Sequence, residues 1–224
     1  MIKKKNSGFT LIELLVVISI IGILMGIVGP KVFDLLSSSK ATKTQAVFRS
    51  WVTQLYQYQQ FYKYFPPFLL DDKQEGESYD LSENQYHDSF IAAMRGMSWN
   101  VDSLMWEDLT DELLEQNPKR REFHAFTEDE FGEDGYLADS WGGRKIRIVV
   151  DHDGDGLIRL SEDDLSSIID SLKTDYDAET LENARDRLAV IRDKVGIFVL
   201  FDSSGETESQ NVFSWDVTKY LDSN

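Results

Sequence analysis

Three lysines, Lys3, Lys4 and Lys5, precede an almost wholly apolar run, FTLIELLVVISIIGILMGIVG at residues 9–29. No other stretch restricts the fold as strongly. As a helix rising about 1.5 Å per residue, the run is about 30 Å long, the thickness of a bilayer's hydrocarbon core. The basic flank holds its start on the cytoplasmic side and places the remainder outside. An ordinary cleaved signal peptide has a shorter apolar region ending in small residues, whereas this run is longer and ends GIVGPK. A plain anchor leaves Glu13 unexplained, because a carboxylate inside an apolar helix costs about 2.5–3.5 kcal/mol.

KKKNSG followed by FTLIELLVVISIIGIL resembles the class III signal of type IV prepilins and type II secretion pseudopilins. The resemblance implies that a prepilin peptidase cuts after Gly8 and methylates the new N-terminal amine of Phe9. It makes Glu13 the fifth residue of the mature chain, and sets Gly22 and Pro30 where the family has a glycine and a helix-kinking proline. The implied partners are that peptidase, other copies of the chain or related pseudopilins, and an inner-membrane assembly platform. Elementary electrostatics supports the same role. Cleavage leaves a positive amine on an apolar helix, and Glu13 of one subunit can neutralise it in a neighbour, so two charges that are costly singly become tolerable together.

Beyond Pro30, apolar residues recur at Val32, Leu35 and Leu36, then at Val47, Phe48, Trp51, Val52, Leu55, Tyr58 and Tyr62. Steps of three and four predict an amphipathic helix continuing to about Tyr62, with FPP at 65–67 ending it. The aromatics Tyr56, Tyr58, Phe61, Tyr62, Tyr64 and Phe65 are read as core packing rather than a stacking platform. The chain thus divides into a leader (1–8), a membrane and assembly half-helix (9–30), an amphipathic half-helix (31–64) and an acidic head (65–224). In the head, 71–80 reads as a loop, 87–95 and 108–116 as short helices, and 122–126 as a strand. The stretch 127–135 reads as a solvated acidic loop. KIRIVV at 145–150 and IFVLF at 197–201 are the clearest strands, with helices at 161–173 and 177–194 between them.

Residues 151–162 read DHDGDGLIRLSE, with carboxylates at the first, third, fifth and twelfth positions and glycine at the sixth. This is the spacing of an EF-hand calcium loop. Alternate side chains of a tight turn converge on a hard cation, so the expected ligands are Asp151, Asp153, Asp155, the Leu157 carbonyl and Glu162. Arg159, ninth in the loop, cannot ligate, and His152 is not a ligand. A strand enters the loop instead of a helix, which suits a structural clamp better than a sensor. At a hundredfold excess of calcium over Kd such a clamp adds about 2.7 kcal/mol. DSWGG at 139–143, a strand and then DGDG resembles the head of the major pseudopilins, and SSG at 203–205 with FSW at 213–215 resembles their C-terminal segment. The helices at 161–194 depart from that pattern.

Composition narrows the rest. With 23 Lys+Arg against 40 Asp+Glu, a formal charge of −17, the chain repels phosphate backbones, so no nucleic-acid partner is expected. Zero cysteines exclude disulfides, thiol nucleophiles and thiolate metal sites. His87, His124 and His152 are scattered, and no serine-hydrolase, P-loop, zinc-protease or dinucleotide motif occurs, so no enzyme is expected. The expected fold is α+β and pilin-like: a long N-terminal helix on a small antiparallel sheet, with extra helices and an EF-hand-like loop. The expected function is that of a structural filament subunit, a type II secretion pseudopilin with a calcium-stabilised head. Its expected place is the inner membrane, single-pass, with the head periplasmic or extracellular. The alternatives are a major or minor type IV pilus subunit and a membrane-anchored calcium-dependent binding module.

Overall fold

A computed structural model describes residues 11–70, 76–201 and 210–221, without the side chains at 27–30, 33 and 34. The chain divides into two units, Met1–Lys40 and Ala41–Asn224. The leader 1–8, with Gly8 and Phe9, and the SSG at 203–205 lie outside the described residues. So does the side chain of Pro30.

The first unit contains the start of α1 (Leu11–Tyr62), an α-helix that passes through Pro30 without a break. Every described side chain at 11–26 is exposed, from Leu11 at 83% to Val17 at 45%. Ser19 satisfies its hydroxyl within the helix, donating to the Leu15 carbonyl at 2.8 Å. Among the described residues no helix is long and apolar enough to cross a membrane. Of the 9–29 run, the side chains described are those at 11–26.

In the second unit the rest of α1 buries Thr44, Phe48, Trp51, Leu55 and Tyr58, the narrow stripe that alternating steps of four and three produce. The helix stops three residues earlier than a proline block requires. Lys63 turns to φ 74° and donates its N–H to Gln59 O at 2.8 Å. Phe65 and Pro66 then bury, and Pro67–Leu69 form a 3-10 turn.

After the turn come β1 (Tyr79–Asp80), α2 (Asn84–Arg95), the hairpin β2 (Ser98–Asn100) and β3 (Met105–Glu107), and α3 (Asp111–Leu114). Then follow β4 (Arg147–Val150), β5 (Ile158–Arg159), α4 (Glu162–Leu172), α5 (Ala178–Leu188), β6 (Val190–Ile191), β7 (Val195–Val199), β8 (Val212–Phe213) and α6 (Thr218–Leu221). The main sheet is antiparallel in the order β1-β4-β7-β8. Its faces carry separate cores. Ile148, Val150, Val195, Ile197, Val199 and Val212 join the aromatic stripe of α1. Val149, Phe198 and Phe213 face the other way, onto Leu165, Ile168 and Leu172 of α4 and Leu181, Ala184 and Leu188 of α5. The expected α+β fold with a small antiparallel sheet is present, and within it α4 and α5 cover the second face of the sheet.

Several local expectations are corrected. Residues 79–80 form β1 rather than a loop, whereas 71–75 lie outside the described residues. The helix placed at 108–116 is the single turn α3, capped by Thr110 and finished before Asn117. The stretch 122–126 is not a strand: Phe123 and His124 both give their N–H groups to Met94 O, at 2.8 and 3.0 Å, and pair with no neighbour strand. The acidic stretch 127–135 is not simply solvated, because Glu128–Glu130 form a 3-10 turn closed by a Thr127/Glu130 capping box with Glu130 buried. The helix placed at 177–194 ends at Leu188, and Val190–Ile191 turn to pair with β5.

Asp164 ties these layers together. It is 5% exposed and accepts from Ser78 N–H (2.9 Å), Ser78 Oγ (2.7 Å), Arg147 Nη1 (3.1 Å) and Ser161 Oγ (3.1 Å). Asp164→Ala strands these donors and is expected to cost about 2–3 kcal/mol, read as a lower urea midpoint. An unchanged midpoint would show that the clamp contributes nothing.

Candidate functional site

The ladder between β4 and β7 delivers Asp151, whose N–H continues it to Lys194 O at 3.0 Å. Asp151 is 7% exposed and folds the turn around itself, Oδ1 accepting from Gly154 N–H and Oδ2 from Gly156 N–H, each at 2.8 Å. Both glycines take positive φ, 78° and 86°, which an L side chain would strain. Asp153 Oδ1 accepts from Asp155 N–H at 3.1 Å, and Asp155 Oδ1 from Leu157 N–H at 2.8 Å. Asp151, Asp153 and Asp155 each offer an oxygen, all within 4.8 Å of one another. A hard divalent cation suits this all-oxygen donor set.

The remaining expected participants stand differently. Leu157 is in the turn, half-buried. Glu162 is outside the carboxylate group: it is the first residue of α4, 80% exposed, and Arg185 Nη2 of α5 holds its Oε2 at 2.6 Å. Arg159 of β5 reaches back over the turn, with Nη1 3.3 Å from Asp153 Oδ2 and Nη2 bonded to Asp155 Oδ2. The Arg159 guanidinium holds the Asp155 carboxyl below the usual carboxylate range. His152 is outside the group, its ring centroid 6.3 Å from that of Tyr79. The loop therefore fits a cation through three aspartates, with a guanidinium standing in as the positive charge.

Asp139 shapes the approach to β4. Its Oδ1 accepts from Trp141 and Gly143 N–H, both at 2.8 Å, around Gly142 at φ 87°, so DSWGG is a tight turn. Of the other histidines, His87 is fully buried, its Nε2 accepting from Leu137 N–H at 3.2 Å and its Nδ1 2.9 Å from Asp88. His124 is bound to Glu130 at 2.8 Å. Both hold the fold together. The Glu130 pairing was missed at the sequence level, although T-x-x-E at 127–130 is the spacing of a capping box.

Glu13 occupies the first turn of α1, exposed, with Leu11, Ile12, Leu14 and Leu15 around it in sequence all more than half exposed. Gly22 lies farther along the same helix, with nothing within 4 Å of where a Cβ would stand.

Residues 3–29 match the family described as the prokaryotic N-terminal methylation motif. Neither the curated proteins nor the solved structures contain a match to the chain. The comparison thus bears on the N-terminal segment alone, where it selects the run that Lys3, Lys4, Lys5 and Glu13 mark out. The chain carries the prepilin-type signal at its N-terminus, and that signal supports a place in the type IV pilin-like and pseudopilin family.

Proposed function

We propose that this chain is a structural filament subunit, a type II secretion pseudopilin, cut between Gly8 and Phe9 by prepilin peptidase and assembled through its N-terminal helix. The methylation-motif match at 3–29 carries the reading, because that motif implies peptidase processing and assembly into pilin-like filaments. Residues 9–29 would hold the unassembled subunit in the inner membrane, with its N-terminus cytoplasmic and its head periplasmic or extracellular. The Asp139 turn leading into β4 and the acidic loop behind it support the pseudopilin assignment over a pilus subunit. Copies of the chain, related pseudopilins and a membrane assembly platform are the partners this function requires.

Calcium is the cofactor of this proposal. Asp151, Asp153 and Asp155 would hold it, joined by the Leu157 carbonyl and by Glu162 once Glu162 leaves Arg185. Bound calcium supplies positive charge to a turn rich in carboxylates. The chain's own part is the backbone of 151–157, which presents the three aspartates together.

Mass spectrometry of the native N-terminus tests the processing step. A monomethylated phenylalanine at Phe9 is the expected result. An intact Met1, or a cut elsewhere, would remove the proposal.

A further inference from the structure

The turn that offers three carboxylates already holds a cation of its own. The Oδ1 atoms of Asp153 and Asp155 accept backbone N–H groups, and the Oδ2 atoms face Arg159, at 3.3 Å from Nη1 for Asp153 and bonded to Nη2 for Asp155. A carboxylate oxygen has lone pairs enough to bind an ion while accepting an N–H, so the backbone bonds need not break on loading. A guanidinium is different: it carries positive charge and repels an incoming cation at contact distance.

We propose that Arg159 is a built-in competitor at this site, so that its guanidinium and calcium are alternative occupants of the Asp153–Asp155 pair. The inference rests on the reading of 151–162 as a calcium loop and adds its regulation. Arg159 would set the affinity low and keep the unloaded turn ordered, neutralising carboxylates that would otherwise repel one another.

The surroundings suit a switch made by one side chain. The backbone at 159 is pinned: β5 pairs Ile158 with Ile191 and Arg159 with Val190, and Ser161 N–H bonds Gly76 O at 3.0 Å. Gly76 approaches so closely that a Cβ there would stand 1.8 Å from the Arg159 carbonyl oxygen. The side chain is 42% exposed. Exchange therefore needs rotation about side-chain bonds, with β5 and α4 left in place. At the far end of the loop Arg185 holds Glu162 in the same way, so two arginines of the chain itself engage Asp153, Asp155 and Glu162 of the expected ligand set.

When the competent state is only partly populated, apparent affinity falls by that fraction. Removing the arginine's contacts with Asp153 and Asp155 should tighten calcium binding about three- to tenfold. The experiment is calorimetric titration of calcium chloride into the full chain in detergent, with melting followed in chelator and in calcium. Wild type, R159K and R159Q are compared. R159Q should bind about three- to tenfold tighter than wild type. R159K, which keeps the charge but loses the two-pronged fork, should fall between them. In chelator R159Q should melt below wild type, and calcium should raise its Tm by more. Calcium binding in R159Q but not in wild type would support the same switch in its strongest form. Equal affinity and equal calcium-dependent melting in all three proteins would overturn the switch and leave the calcium site standing. No binding in wild type and R159Q alike would overturn the calcium reading, and the switch with it.

Discussion

Trp51→Ala is expected to cost the head about 5 kcal/mol, from about a third to all of the stability of an ordinary domain. Trp51 is fully buried, with ring centroids of Phe48, Phe90 and Phe126 at 5.7, 5.1 and 6.2 Å. Losing it opens a cavity that these rings can only partly close. The indole N–H also donates to Glu130 Oε2 at 2.7 Å. Glu130 is 5% exposed and otherwise depends on His124 Nε2 (2.8 Å), Thr127 N–H (3.0 Å) and Thr127 Oγ1 (3.1 Å). Trp51→Phe keeps most of the packing but removes this donor and some ring volume, so it should cost about 1.5–3 kcal/mol. Urea denaturation separates the two. A loss below about 1 kcal/mol for Trp51→Ala would contradict the packing described.

The same cluster predicts the acid limb of stability. Burial alone would raise the Glu130 carboxyl, but the bonds from His124, the Thr127 N–H and Trp51 outweigh it and hold the group below its ordinary value of 4.5. A carboxylate whose folded pKa is depressed adds stability that is fully present above its unfolded value. Stability from Glu130 should therefore be intact above pH 4.5 and fall away as pH drops through the lower folded value. Glu130→Gln should flatten that limb while lowering stability near neutral pH.

How much of this was legible depended on the range of the cause. The stripe Phe48, Trp51, Leu55, Tyr58 could be read because helical periodicity is local, and Ser161 and Asp177 mark helix starts for the same reason. The stretch 122–126 alternates like a strand, yet Phe123 and Phe126 pack on the rings of Tyr58 and Trp51 without any pairing, and pairing is not written locally. For α5 the apolar spacing runs on from Ala184 and Leu188 to Ile191, so periodicity could not announce its end. Pairing of Val190–Ile191 with β5, a distant partner, sets it. IVV at 148–150 and VGIFV at 195–199 are continuous apolar runs, the pattern of strands buried on both faces. That pattern calls for a layer such as α4 and α5 behind the sheet. In the acidic loop the alternate aspartates converge as their spacing dictates. The position of Glu162 does not follow from spacing, because Arg185, 23 residues away, holds it.

Glu13→Leu is expected to abolish filaments while leaving the chain processed and membrane-bound. Within a lipid-embedded helix a lone carboxylate costs about 2.5–3.5 kcal/mol, so leucine there should insert at least as well as the native residue. A helix-end role offers a simpler reason for an acid in the first turn of α1, but such a charge is worth only about 0.3–1 kcal/mol and concerns the single subunit. Pairing with a neighbour's Phe9 amine makes a larger and different prediction. Removing one partner leaves the other charge buried alone, which costs about 3–5 kcal/mol at each subunit contact. At 1.4 kcal/mol per factor of ten, each contact weakens by about two to three and a half orders of magnitude. A filament repeats that contact at every step, so growth should fail outright instead of slowing. Glu13→Gln, which keeps the shape and loses the charge, should fail in the same way. The measurements are filament yield by electron microscopy after shearing, membrane retention after alkaline extraction, and the N-terminal mass. If Glu13→Leu subunits are processed, retained and still assemble at native yield, the charge is not the assembly contact.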